Sequence, residues 1–240
     1  MANSREDFIE GLRGGIPIAL GYLSVSFAYG IMAQTGGLDL ISTVLISMTN
    51  LTSAGQLAGT QLIFDAASYI EIAVTTFVIN LRYMLMSLSL SQKVDENMTV
   101  VQRLLVSFGI TDEIFAVSSQ RKRPPNAIYM FGLILLPYIG WAMGTFLGSA
   151  AGYILPESVS SALGIAIYGM FVAIVIPVCK RDRACLFVAI MAGVISCCLK
   201  YVPLLSSVPQ GWAIIICAVV ASVAGALIFP IKDTEGESAQ

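Results

Sequence analysis

Apolar residues run almost unbroken through six stretches of this chain: 15–33, 69–90, 127–154, 159–178, 184–202 and 212–229. A helix needs roughly 20 mostly apolar residues to cross a bilayer, and each stretch is close to that length. The later stretches are parted by Arg121-Lys122-Arg123-Pro124-Pro125, by Pro156-Glu157, by Lys180-Arg181-Asp182-Arg183 and by the segment 203–210. The pattern predicts an all-α, polytopic helical membrane protein.

Two further runs interrupt their own apolar character. The run 40–64 is long enough to span, yet its middle carries Ser47, Thr49, Asn50, Thr52, Ser53, Gln56, Thr60 and Gln61. The run 104–119 is short and contains Asp112 and Glu113. Each either spans or forms a broken or re-entrant helix. Irregular backbone at membrane depth survives only where protein or a cavity surrounds it. With both alternatives open, about seven to eight membrane helices are expected.

Charge sets the expected orientation. The basic clusters at 121–123 and 180–183 are two spans apart and so share a side. The positive-inside rule makes that side the cytoplasm, together with both chain ends. Re-entry of both interrupted runs would bring Lys93 and Arg103 to the same side. Segment 1–14 mixes Arg5, Glu6, Asp7, Glu10 and Arg13 with Phe8, Ile9 and Leu12. It is expected to be a short interfacial helix rather than a cleavable signal peptide. Residues 15–230 would form one membrane domain, and 231–240 a cytoplasmic tail. Pro17 and Pro137 begin comparable glycine-rich helices, which points to a weak two-fold repeat of 15–119 and 127–230.

Composition agrees and removes several chemistries. Hydrophobic residues make up 57% and charged residues 12%, against roughly 25% charged in soluble domains. Mean hydropathy is +0.83. The absence of histidine removes His-based triads, His metal sites and imidazole relays. A net charge of −2 offers no basic surface for a nucleic-acid backbone. The five cysteines have no metal-ligand spacing, and Gly11-Leu12-Arg13-Gly14-Gly15 lacks the ending of a phosphate loop. No enzyme activity, cofactor or metal is expected.

Polar residues at depth are costly and mark function. Arg82 is either a structurally paired arginine, with Asp112 or Glu113 as partner, or a guanidinium that grips a substrate carboxylate. Asn80 and Tyr83 lie beside it. Asp112 and Glu113 either attract an ammonium or proton, or sit in the first turn of a half-helix capped at Thr111. Adjacent on a helix, they would point about 100° apart and not share one pore equally. Ser53, Gly55 and Gln56 either face an anionic group at a broken helix or serve ordinary small-residue packing. Pro17 and Gly21 are the expected hinge. Asp65 and Glu71, near helix ends, are expected in solvated interfacial positions.

These residues carry a resemblance. Residues 17–30, Ser53-Ala54-Gly55-Gln56, Asn80-Leu81-Arg82-Tyr83 and Gly109-Ile110-Thr111-Asp112-Glu113-Ile114-Phe115-Ala116 resemble motifs of the AzlC family of branched-chain amino acid permeases. Tyr83 stands where many members have histidine. The resemblance implies an inner-membrane exporter of branched-chain amino acids, working with a small AzlD-type membrane subunit. The substrate carboxylate would meet Arg82 or the 53–56 turn, and its ammonium Asp112 or Glu113. A non-transporting scaffold or assembly subunit, or a transporter of another small amphiphilic solute, is the competing reading. A scaffold predicts that Arg82 pairs within the chain and that no cavity reaches the midplane.

Overall fold

The computed structural model describes residues 4–156, 175–203 and 207–230, with the single residues 158, 169, 172 and 205. Most of the apolar run 159–178 and all of the tail 231–240 lie outside the described residues. Among the described residues the protein is helical without strands, in agreement with the expected class. Five helices are long and apolar enough to cross a membrane: α1 (Ser4–Thr35), α4 (Tyr69–Ser91), α7 (Ala127–Gly152), α8 (Arg183–Tyr201) and α9 (Gln210–Ile228). Segment 4–14 is continuous with α1.

The frame is the pair α1 and α7. They run parallel, in step along their whole length. Gly11 faces Leu133, Ala19 faces Gly140, Ser26 faces Gly144, Gly30 faces Ser149 and Gln34 faces Gly152. In lipid, helices gain little from burying apolar area against each other, so association depends on close backbone approach over small residues. The seam supplies them: Gly11, Gly15, Ser26 and Gly30 on one side, and Gly132, Gly140, Gly144 and Gly148 on the other, all buried.

The two interrupted runs take the re-entrant alternative. The first becomes α2 (Leu40–Thr49) and α3 (Ser53–Phe64). The second becomes α5 (Val100–Phe108) and α6 (Asp112–Ser119). At 1.5 Å per residue these arms are about 12–18 Å long, half of a hydrocarbon core of about 30 Å. α2 descends along α7, with Ser47 Oγ 2.7 Å from Thr145 Oγ1 and the Tyr138 hydroxyl donating to the Met48 carbonyl. α3 then climbs back along α4, as Gly55 meets Asn80 and Gly59 meets Thr76. It ends with the Phe64 ring on Gly36, at the end from which α2 departed.

The second hairpin enters from the other end. Arg103, near the start of α5, donates to the carbonyls of Ser91, Asp95 and Met98. The α5–α6 tip passes Ile134 and Tyr138, and α6 returns to Arg121. Both tips break for the same local reason. Asn50 and Gly109 close the first arms, while Thr52 and Thr111, in extended conformation, cap the second arms by accepting from the N–H groups of Gly55 and Ile114.

Arg121 anchors the end where α1 begins. Its guanidinium pairs with Asp7 and, at 2.7 Å, with Glu10, and lies 4.0 Å over the Tyr129 ring. The Arg121 and Asp7 side chains are only 5% and 4% exposed, so this pair ties α1, α6 and α7 together away from water. Burial works against the Arg121 charge, but the hydrogen bonds it donates to Glu10 and Asp7 outweigh this and raise its pKa. Lys93, Arg103 and the cluster 121–123 gather at this basic end. Arg183 joins them: the Phe187 ring lies 5.7 Å from Phe229, at the close of α9, whose start lies at the opposite end.

Glu71 departs from expectation. Rather than solvated, it is 8% exposed, because α9 begins against α4 and the Gly211 N–H donates to Glu71 Oε1 at 2.9 Å. Pro209 gives α9 no side-chain cap, so the carboxylate of another helix supplies one, and with it a charge suited to a helix N-terminus. Asp65 is exposed, as expected. Glu71→Ala is expected to cost about 1–3 kcal/mol, the range for a charge-assisted bond whose loss leaves a donor unpaired. The check is thermal unfolding in detergent against Asp65→Ala, which should change little.

Candidate functional site

The two hairpin tips arrive from opposite ends and stop at one level, against the middle of α1 and α7. Between them lies a cavity of about 370 Å³, within the range that small-molecule sites occupy, roughly 300–1,000 Å³. Its wall is mostly apolar: Pro17, Ile18 and Val25 of α1, Leu51 of the first tip and Trp141 of α7. Polar groups enter from the tips and from α4, namely Ser53, Tyr83, Thr111, Asp112 and Glu113.

Of the sequence-predicted residues, Ser53, Tyr83, Asp112, Glu113, Pro17 and Gly21 line this cavity. Gly21 is open on the cavity side, with no described residue within 4 Å of an added Cβ. Pro17 and Gly21 sit inside an uninterrupted α1. Asp112 and Glu113 both border the cavity but turn to different partners, Asp112 to Arg82 and Glu113 to Tyr22. They occupy the first turn of α6, and the cavity meets that helix end-on rather than along one face. Thr111 caps the half-helix as its position suggested.

Arg82 is paired. Its Nη1 lies 2.9 Å from Asp112 Oδ2, with both side chains nearly half exposed. Nη2 donates to the Tyr83 hydroxyl at 3.0 Å, and the guanidinium lies over that ring. The remaining predicted residues stand behind the wall. Asn80 Oδ1 accepts from Thr52 Oγ1 at 2.9 Å, and the Asn80 amide fills the space over Gly55. Gln56 is 1% exposed. It accepts from Trp141 Nε1 at 2.9 Å and donates to Ser47 Oγ. A buried amide with both ends satisfied fixes the indole in one orientation.

Sequence reading missed Tyr22 and Trp141. The Tyr22 hydroxyl lies 2.5 Å from both Thr111 Oγ1 and Glu113 Oε2, and its ring meets Trp141 edge-on at 5.2 Å. The Tyr22 hydroxyl is placed to donate to either oxygen, and its single proton serves one of them at a time. Nothing local to either aromatic residue signals this, since their polar partners are 85–91 residues away.

The cavity is electrically uneven. Two carboxyl groups, Asp112 and Glu113, stand beside one guanidinium, Arg82, which pairs with Asp112 and leaves Glu113 to the Tyr22 hydroxyl. Of the two marks expected of a scaffold, one is present, the intramolecular Arg82 pair, and the other is absent, because a cavity does reach mid-depth. Among the described residues no group of three metal-ligating side chains occurs.

Fold and cavity define a polytopic helical membrane protein with a small-molecule chamber at mid-depth. The family model described as AzlC protein matches residues 17–155, more than half of the chain, and the chain belongs to the AzlC family. It is 25% identical to the inner membrane protein YgaZ of Escherichia coli, covering 79% of this chain and 80% of the relative. It is 31% identical to an uncharacterized membrane protein of Archaeoglobus fulgidus, covering 71% and 75%. It is 24% identical to the branched-chain amino acid transport protein AzlC of Bacillus subtilis, covering 70% and 66%. No solved structure matches the chain.

Proposed function

We propose that this protein is a secondary transporter that exports branched-chain or similar small apolar amino acids across the cytoplasmic membrane. The observation that carries the reading is the cavity itself: mostly apolar, at mid-depth, built where two interrupted helices meet. An aliphatic side chain suits the wall of Ile18, Val25, Leu51 and Trp141. The substrate ammonium suits the Glu113 carboxyl in the cavity wall, and Arg82 and Ser53 stand near enough to the polar tips to serve its carboxylate. The branched-chain amino acid transport protein among the relatives supports the substrate class.

A small AzlD-type membrane subunit is the proposed partner. The exposed apolar faces of α4 and α8 leave room for it as well as for lipid. The basic end faces the cytoplasm, since Lys93, Arg103 and the clusters 121–123 and 180–183 collect there. This orientation supports the reading that both chain ends are cytoplasmic. The test is flux of labelled leucine, valine and methionine in proteoliposomes, with and without the small subunit. Saturable leucine flux is expected; its absence even with the subunit present overturns the reading.

A further inference from the structure

The two hairpins do more than meet. α1 runs from the basic end to the opposite end, and its hairpin α2–α3 re-enters from the opposite end. α4 runs the other way, and its hairpin α5–α6 re-enters from the basic end. Each unit is one long helix followed by one half-depth hairpin, and the second is the first turned upside down.

Residues at matching places agree. Glu10 and Glu71, both near helix starts and both 61 positions apart, anchor α1 and α4 to a neighbouring element. Tyr22 and Tyr83, also 61 apart, line the cavity. Thr52 and Thr111, 59 apart, cap the second arms and are preceded by Leu51 and Ile110.

The polar ties are reciprocal. Tyr22, on the first long helix, bonds the cap Thr111 of the second hairpin. Asn80, on the second long helix, bonds the cap Thr52 of the first hairpin. Each tip is therefore held by the long helix of the other unit.

What lies beyond each tip differs. Towards the basic end, Leu90, Ile114, Met130 and Leu133 are fully buried, backed by the Arg121 pair. Towards the opposite end, Ile31 and Leu62 are also fully buried, but the layer next to the tip is polar: Ser47, Gln56, Thr60 and Tyr29 bond to one another or to Thr145 and Trp141. Two inverted units with unlike seals are what one architecture looks like in one of two exchangeable states.

We propose that residues 4–64 and 69–119 are inverted copies of one helix-plus-hairpin unit, and that the cavity opens alternately to the two ends by exchange of the two hairpin conformations. This rests on the transporter reading and adds which segments move. The pairing of α1 with α7 by sequence offset is a different relation: those two helices run parallel and form the frame against which both hairpins work.

The experiment uses the full chain in membrane vesicles of both orientations. Gly21→Cys places a reporter in the cavity where an added side chain has room. A membrane-impermeant thiol reagent is applied, and labelling is read by mass spectrometry of the peptide carrying residue 21, so the five native cysteines stay. Thr111→Ala, which loosens the hairpin of the basic end, is expected to raise labelling from that face about fivefold. Thr52→Ala is expected to raise labelling from the opposite face by a similar factor, the size expected from losing a helix cap. Thr→Ser at either position keeps the cap and should match the parent.

Shifts toward the same face in both variants, no shift in either, or a reporter that is never labelled would each overturn the proposal. Leucine flux is measured on the same vesicles. Leucine flux absent from the parent protein, with opposite shifts retained in the variants, would count against the transporter reading alone.

Discussion

Arg82→Ala is expected to lower leucine flux by about 100-fold or more, roughly 2.7 kcal/mol or more of lost stabilisation, while leaving membrane insertion and the unfolding midpoint nearly unchanged. Two features of the pair require this combination. Its side chains are nearly half exposed, and ion pairs with that access to solvent contribute only about 0–1 kcal/mol to stability. The fold therefore survives the loss. The cavity does not stay the same. Without the guanidinium, Asp112 and Glu113 both stand uncompensated, and a substrate carboxylate meets two negative charges. Arg82→Lys keeps the charge but loses the planar fork that bonds Asp112 and Tyr83 together. It should fall between parent and alanine variant, and full activity in the lysine variant would argue against carboxylate recognition by Arg82. The double variant Arg82→Gln with Asp112→Asn restores the charge balance. Recovery of flux in it would reduce Arg82 to a partner of Asp112.

Gly148→Val is expected to destabilise the fold outright. A Cβ there would collide with the carbonyl of Phe27 in α1. Backbone cannot rotate away as a side chain can, so the two helices must separate. Overpacking of this kind costs about 1–3 kcal/mol, and one contact along a seam of small residues spreads its strain along both helices. A fall in the unfolding midpoint of about 4–10 °C is expected, with loss of folded yield. Gly193→Val is the control, because no described residue lies within 4 Å of its added Cβ. An equal fall at Gly193 would mean that helix propensity, not the α1–α7 seam, sets the effect.

Much of the architecture was legible in the chain. α4, α7, α8 and α9 begin and end within two residues of the apolar runs that predicted them. Those runs are long, and a bilayer imposes the same length on each. The charged residues at depth were legible for a related reason, since few side chains are tolerated there. The fate of runs 40–64 and 104–119 was not. An arm of eight to twelve residues has the same composition whether it continues through the bilayer or turns back. Charge placement leaned toward re-entry, and the gathering of Lys93 and Arg103 at the basic end follows from it.

By itself, then, the sequence determined the solvent the protein folds in, the long helices and the short list of Arg82, Asp112 and Glu113. The tertiary structure alone decided that two runs turn back, that their tips enclose one cavity, that Arg82 pairs with Asp112 while Glu113 meets Tyr22, and that Gln56 and Asn80 brace the wall of that cavity. The physical reason is range. Helix length and amphipathicity are set by neighbours within a turn or two. The contacts that shape the cavity join residues 28 to 119 positions apart, and which of them form depends on how the glycine seam of α1 and α7 lets everything else approach.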